Sequence, residues 1–175
     1  MDQPNIMEIA SISSILDPSR TLRNVSVPHV YSNYQHSFVK NAQQLSICTY
    51  TVVINQLAWV FGTMENQRFH FDLMDFHTPS ANDYFQLVLA WLGAERRVGS
   101  MITLGLRTDQ IGEEILELVR SRTERAESTE RCVIAPLING RKLQVSYAPL
   151  PEKIHLSTFL LTAKIMEGEN SQKID

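Results

Sequence analysis

The sequence predicts an α+β domain with a mainly antiparallel sheet, two principal helices packed on it and an N-terminal arm. The clearest sign is the segment Ile138-Asn139-Gly140-Arg141, which separates two apolar-patterned runs. Asn-Gly between such runs predicts a hairpin, because both central residues of a type I′ turn need a positive φ. The second sign is the alternation that follows the hairpin, and the third is a pair of segments with helical periodicity.

The alternating segment His155 to Met166 predicts a long strand with one face in the core. One set of its side chains is mostly apolar and the other set is mixed. The first set is Phe159, Leu161, Ala163 and Ile165, and the second is Thr158, Leu160, Thr162 and Lys164.

Both helices have recognisable N-terminal signals. Ser80 followed three residues later by Asp83 resembles a capping box, and Gly93 predicts the end of that helix. Thr108-Asp109 opens the second helix, whose apolar face recurs at helical spacing. That face consists of Ile111, Ile115, Leu118 and Val119.

The first half of the sequence predicts further strands. The run Ile47 to Asn55 is rich in Thr, Val and Tyr, and Leu57 to Phe61 is expected to continue it. After a turn at 62–66, Arg68 to Phe76 predicts a returning strand, and Val98 to Leu106 a weaker strand or loop.

The domain organisation predicted is an N-terminal arm at 1–20, one α+β domain at 21–166 and a polar tail at 167–175. The arm carries an apolar stripe that ends at Asp17-Pro18, because a residue before proline avoids the helical region. This stripe is expected either to dock on the body as a short helix or to bind a neighbouring subunit. Its self-association residues would be Ile6, Ile9, Ile12, Ile15 and Leu16.

Composition excludes several function classes. The net charge of −3 gives no bulk attraction to nucleic acid or membrane. No run approaches the length of a membrane span, and no basic, apolar leader is visible. Cys48 and Cys132 both lie in apolar runs and are expected to be buried free thiols. The absence of a leader and of a membrane span predicts a cytosolic protein.

Arginine is concentrated in the second half of the chain. Residues 95–142 hold nine basic groups, of which eight are Arg, and eight acidic groups. A helix surface with ion pairs explains much of this pattern. The alternative is a surface for an acidic protein partner or an anionic lipid, formed by Arg96, Arg97, Arg120, Arg122, Arg125, Arg131 and Arg141.

The pattern of polar residues predicts no catalytic site, no metal site and no cofactor. The best metal candidates are His70 and Asp72, with Asp75 and His77 further on. The first two share a strand face, but polar-out, apolar-in alternation with Phe69, Phe71 and Leu73 explains them more simply. The sequence contains neither a nucleophile-elbow motif nor a phosphate-binding glycine loop.

One apolar segment could insert into a membrane. Trp59 and Phe61 lie in Ala58-Trp59-Val60-Phe61, and Trp prefers the membrane interface. The simpler interpretation is that both are core residues on a hairpin.

Three blocks of the chain resemble rhabdovirus matrix proteins in their order. They are Cys48-Thr-Tyr-Thr-Val-Val-Ile-Asn55, the aromatic-aliphatic run Tyr84 to Gly93, and the segment Cys132 to Met166. A plant-infecting type fits better than an animal type, because the chain lacks a lysine-rich N-terminus and a Pro-Pro-x-Tyr motif. The resemblance implies a non-enzymatic protein that self-associates, binds the viral nucleoprotein and lines the inner envelope. It also implies that the seven arginines named above face nucleocapsid or lipid. The location that it implies is the virion and host cytoplasm, peripheral to a membrane.

The sequence therefore predicts a non-enzymatic, matrix-like viral structural protein. Its partners would be further copies of itself, the viral nucleoprotein and an anionic lipid surface, and direct nucleic-acid binding is not favoured. One alternative is an RNA-binding capsid or nucleocapsid-associated protein. A second alternative is a cytosolic enzyme domain that binds a metal or a small ligand.

Overall fold

A computed structural model describes residues 21–28, 34–49, 54–73, 79–154 and 156–168. The predicted arm at 1–20, including Ile6, Ile9, Ile12, Ile15 and Leu16, lies outside the described residues. So do Asp75, His77 and most of the predicted tail, from residue 169 onwards.

The described residues form four α-helices and eight strands. In chain order these are β1 (Asn24–Pro28), α1 (Ser37–Lys40), β2 (Gln44–Thr49), α2 (Ile54–Thr63), β3 (Arg68–Leu73), α3 (Ala81–Leu92), β4 (Met101–Leu106), α4 (Asp109–Ser121), β5 (Glu127–Thr129), β6 (Cys132–Pro136), β7 (Arg141–Ile154) and β8 (Ser157–Glu167).

All eight strands belong to one mixed sheet, in the order β1-β2-β3-β4-β8-β7-β6-β5. The pairs from β1 to β4 are parallel, and the pairs from β4 through β8 to β5 are antiparallel. The α+β class is confirmed, but the prediction of a mainly antiparallel sheet is wrong. The first half of the chain repeats strand, helix, strand, and such crossovers join parallel strands.

The helices share one face of the sheet. Successive parallel strands are placed side by side in one direction, and right-handed crossovers that all step the same way put their helices on the same side. The contacts between elements agree with this placement of the helices. Helix α2 contacts α3, α3 contacts α4, and α4 contacts β4, β6, β7 and β8. The buried apolar side chains of strands and helices form one cluster.

Helix α2 replaces a predicted strand. The residues Leu57 to Phe61 were expected to continue a strand, but Ile54–Thr63 is helical and buries Leu57, Val60 and Phe61. These three positions lie on one side of a helix, at spacings of three and four residues. Packing of that apolar side against α3 outweighs the strand preference of the β-branched and aromatic residues.

The locally signalled elements are confirmed. Ser80 caps α3 in a reciprocal capping box with Asp83, and Gly93 is its C-cap. Thr108 caps α4 by accepting a hydrogen bond from the backbone N–H of Ile111 at 3.4 Å. Both N-terminal capping signals lie within four residues of the helix start, so they do not depend on the rest of the fold.

The C-terminal strands are also confirmed. Strands β6 and β7 form the predicted antiparallel pair. They are connected not by a two-residue type I′ turn but by a 3-10 turn at Ile138–Gly140, in which Gly140 has a φ of 71°. Strand β7 continues past Pro149 to Ile154 with a register shift, so it is longer than predicted. In β8, Leu161, Ala163 and Ile165 are buried as expected.

Candidate binding face

A row of small, mostly polar side chains crosses the entire sheet on one face. Its members are cross-strand partners, each in register with the next, from the β1 edge to the β5 edge. The hydroxyl row consists of Ser26, Ser46, His70, Thr103, Thr162, Ser146, Cys132 and Thr129.

Strand alternation places the hydroxyl row on the face opposite the helices. From β2 to β7 in the order of the sheet, the side chains on either side of each row member, such as Leu45 and Ile47 around Ser46, belong to the buried cluster. Successive side chains of a strand point to opposite faces, so the row points away from that cluster. No helix among the described residues packs on this face.

Hydrogen bonds hold the centre of the row in a fixed arrangement. The Thr103 hydroxyl donates to the carbonyl oxygen of Phe69 at 3.1 Å, and its oxygen lies 2.9 Å from Nδ1 of His70. A hydroxyl has one proton to donate, so Nδ1 of His70 is the donor in the second contact. The His70 ring is therefore oriented by a neighbouring strand.

Longer side chains form the next row, the wall row, and we call the strip of shorter side chains beside it the groove. The wall row is also in register across all eight strands. Its members are Asn24, Gln44, Arg68, Met101, Lys164, Gln144, Ile134 and Glu127. Eight strands spaced about 4.8 Å apart give a groove of about 34 Å along the hydroxyl row.

A buried carboxylate lies on the same sheet face, on the side of the hydroxyl row that is away from the wall row. Asp72 is 1% exposed, and its Oδ1 accepts a hydrogen bond of 2.8 Å from the Ser157 hydroxyl. Gly105 makes room for this pair, because a Cβ there would lie 2.7 Å from Asp72 Oδ1 and would also overlap Ser157.

Cys48 is the cross-strand partner of Asp72. Burial raises the pKa of the Cys48 thiol, the charge of Asp72 raises it further, and a hydrogen bond from Ser26 opposes both. The thiolate is the nucleophilic form of cysteine, so this surrounding disfavours covalent catalysis at Cys48.

The metal candidates predicted from the sequence have structural partners here. His70 contacts Thr103, and Asp72 accepts from Ser157. In the ranges that the structure describes, no three His, Cys, Asp or Glu side chains are grouped so as to hold a metal ion.

Arg96 does not face a partner, which corrects its assignment to a nucleocapsid or lipid surface. It is 5% exposed and donates hydrogen bonds to the carbonyl oxygens of Trp91, Met64 and Phe61. Burial lowers the pKa of Arg96 to about 10, an effect that Glu65 opposes. At neutral pH the guanidinium is charged and binds the C-terminal carbonyls of α2 and α3.

The other predicted arginines make local contacts on different elements. Arg131 forms an ion pair of 3.3 Å with Asp109, Arg120 pairs with Glu117 at 3.2 Å, and Arg141 donates to the carbonyl oxygen of Arg96 at 2.6 Å. Arg122 lies over the Phe85 ring, whereas Arg97 and Arg125 are exposed. Their contact with nucleocapsid or lipid stays a prediction.

Trp59 and Phe61 differ in exposure because they lie on different sides of α2. Trp59 is 42% exposed, but Phe61 is fully buried and stacks edge-on with Phe69 and Phe71. Phe61 is therefore a core residue, although on a helix rather than a hairpin, and its predicted role in membrane insertion is wrong. Within the described ranges, no helix combines the length and apolar character needed to cross a bilayer.

The sequence also matches a known family. A domain of unknown function, DUF3557, matches residues 2–108, which include β1 to β4 and helices α1 to α3. The chain belongs to this family. The DUF3557 match covers the parallel half of the sheet and the first four members of the hydroxyl row. It carries no description of an activity or a partner.

Similarity to curated proteins and solved structures is slight. No curated protein matches the sequence. A precorrin-6y C5,15-methyltransferase from Geobacter metallireducens GS-15 is 9% identical, with 94% of each chain covered and a TM-score of 0.33. An S-adenosylmethionine-dependent methyltransferase from Clostridium acetobutylicum ATCC 824 is 6% identical, with 91% of this chain and 89% of that chain covered and a TM-score of 0.31. Similarity at this level establishes neither a common fold nor an activity.

Sequence reasoning did not identify the hydroxyl row as a site. Its members are scattered over more than a hundred positions, and each is an ordinary polar residue in an alternating run. The sequence did carry one signal, a polar residue between two apolar residues in each of four strands. These polar residues are Ser46, His70, Thr103 and Thr162. Only the register of the eight strands shows that these residues are neighbours.

Proposed function

We propose that this DUF3557 protein is a non-catalytic binding module that holds a partner protein against the hydroxyl row of its sheet. The observation that carries the proposal is the continuous polar row on the sheet face where no described helix packs. A groove about 34 Å long matches an interface of many small contacts.

The polar character of the face favours a reversible contact. Serine and threonine hydroxyls can both donate and accept hydrogen bonds, so a row of them can pair with varied backbone and side-chain groups. An apolar face would instead favour a permanent interface, because obligate interfaces resemble a protein core.

This proposal keeps the non-enzymatic, contact-making role that the sequence predicts, but it assigns the contact to the sheet face rather than to the arginines. The matrix-like role is a narrower form of the same proposal, in which the partners are further copies of the chain and the viral nucleoprotein. Ordered arrays of the purified protein in electron micrographs would support that narrower form.

Site-specific cross-linking tests the binding module. A photoreactive benzophenone amino acid would replace Ser146 on the sheet face or, as a control, Glu114 on the exposed side of α4. In cells that produce the protein, Ser146 should give a discrete adduct and Glu114 should not. Adducts of equal yield from both positions, or none from Ser146, would contradict the proposal.

A further inference from the structure

We infer that the groove binds an acidic, extended segment of a partner protein, and that Arg68 and Lys164 are the residues that recognise it. This inference rests on the proposed function and adds the chemistry of the ligand. It depends on where the charges of the sheet face lie.

Arg68 and Lys164 are placed to act together. Both belong to the wall row, on β3 and β8, and Met101 of β4 lies between them in register. Their backbones are therefore two strand spacings apart, about 10 Å, which their flexible side chains can bridge. Both side chains are exposed, and neither has an ion pair with another described residue.

Asp72 and Glu127, two acidic groups that the structure describes on this face, each have a partner. Asp72 is buried and accepts from Ser157, and Glu127, at the β5 edge, lies 3.6 Å from Lys142. The centre of the groove wall is therefore cationic, although the whole chain carries a net charge of −3. This local excess complements a partner carboxylate rather than a base.

One surface on the helix side, along α4, has the opposite character. Glu113, Glu114 and Glu117 are exposed on α4, which packs on the other face of the sheet. An acidic segment would be repelled by this surface of α4 and attracted to the cationic part of the wall row.

The hydroxyl row supplies the second part of the recognition. Ser46, Thr162 and Ser146 are half-buried beside the cationic wall, and their hydroxyls can donate to carboxylate oxygens or to backbone carbonyls. A chain that lies along the row would meet the two cations on one side and hydroxyls beneath it. The length of the groove corresponds to about ten extended residues.

A labelled peptide tests this inference directly. The probe is a fluorescein-labelled twelve-residue peptide of alternating glutamate and serine, and its fluorescence anisotropy is measured with the full chain. The reversed-charge peptide, with lysine in place of glutamate, is the specificity control. Binding of the acidic peptide and not the basic one is expected.

Paired substitutions locate the binding. Arg68→Gln with Lys164→Gln should weaken binding by roughly 5-fold, the size expected when two exposed ion contacts are lost. Arg97→Gln with Lys40→Gln removes the same charges from exposed positions outside the sheet face and should leave the affinity unchanged.

Two outcomes would overturn the inference. One is that the acidic peptide does not bind, and the other is that both double variants weaken binding equally, which indicates general charge attraction. If the Ser146 cross-link still forms in either case, the binding module stands and only the acidic character of its ligand is wrong. If the Ser146 cross-link is also absent, both the binding module and the acidic ligand are wrong.

Discussion

Arg96 and Met64 are joined by a hydrogen bond of 2.6 Å, in which Nη1 of the buried guanidinium donates to the backbone carbonyl oxygen. The same side chain also donates from Nε to Trp91 at 2.9 Å, so one cation holds the C-terminal ends of α2 and α3 together. Its guanidinium lies 5.1 Å from the centre of the Phe69 ring on β3. Arg96 therefore ties the helix layer to the sheet that carries the candidate binding face.

Replacing Arg96 should destabilise the domain strongly. We expect Arg96→Met to lower the free energy of unfolding by about 3 kcal/mol, because charged hydrogen bonds are lost and buried carbonyls are left unpaired. Arg97→Met changes an adjacent, exposed residue and should cost less than about 0.5 kcal/mol. Urea unfolding measures both, and equal costs would show that Arg96 has no special structural role.

Gly105 should tolerate no side chain. A Cβ there would lie 2.7 Å from Asp72 Oδ1, so Gly105→Ala should cost about 2 kcal/mol through overpacking. The control is Gly62→Ala in α2, where the new Cβ would lie at an ordinary contact distance of 3.5 Å from the carbonyl oxygen of Ala90. Because alanine favours helix, that change should be neutral or stabilising by up to about 1 kcal/mol.

A double-mutant cycle separates overpacking from other effects at Gly105. In a Ser157→Ala background the hydroxyl that overlaps the new Cβ is gone, so Gly105→Ala should cost less than in the native sequence. Thermal and urea unfolding of the four proteins supply the comparison. Strict additivity would rule out the proposed clash.

Gly112 is constrained by an aromatic ring across the layer boundary. A Cβ on this α4 residue would lie 2.6 Å from Cδ2 of Tyr147 on β7. Gly112→Ala should therefore lower the free energy of unfolding by about 2 kcal/mol, although alanine is the better helix former. Tyr147→Leu, which removes the ring, should reduce that cost, and an unchanged cost would place the strain elsewhere.

Buried tyrosines should make the domain sensitive to alkaline pH. Burial raises the pKa of Tyr84, whose hydroxyl donates to the carbonyl oxygen of Gly105 at 3.0 Å, and it also raises the pKa of Tyr34. The native state then holds protons that the unfolded state loses above the ordinary tyrosine pKa of 10.0, so stability is complete below that pH and falls as pH rises.

Tyr84→Phe isolates one part of this alkaline effect. At pH values below 10 the variant should be less stable than the native protein by about 1 kcal/mol, because one buried hydrogen bond is lost. The difference should shrink at higher pH, since only the native protein loses the contribution of Tyr84. Urea unfolding across this range measures it, and a pH-independent difference would contradict the raised pKa.

Local features were predictable from the sequence because their causes lie within a few residues. The capping box of Ser80 and Asp83, the cap at Thr108 and the alternation around Leu161 and Ala163 depend on neighbours along the chain. All of these predictions were confirmed.

Non-local relationships could not be derived in the same way. The parallel pairing of β2 with β3 depends on how α2 packs, and α2 was mistaken for a strand because its residues also suit one. Arg96 looked like one member of an exposed arginine group, since its partners Phe61 and Met64 precede it by 35 and 32 residues. The hydroxyl row likewise exists only in the register of eight strands.

Alkylation of the native cysteine Cys132 tests the binding face most directly. Cys132 belongs to the hydroxyl row and is partly exposed, so it reports on that face without a mutation. Its alkylation rate would be compared between the purified protein and cells that produce the protein, with Glu114→Cys on α4 as the reference position. The binding module predicts several-fold protection of Cys132 in cells and none at the α4 position. Equal rates for Cys132 in both settings would contradict the account.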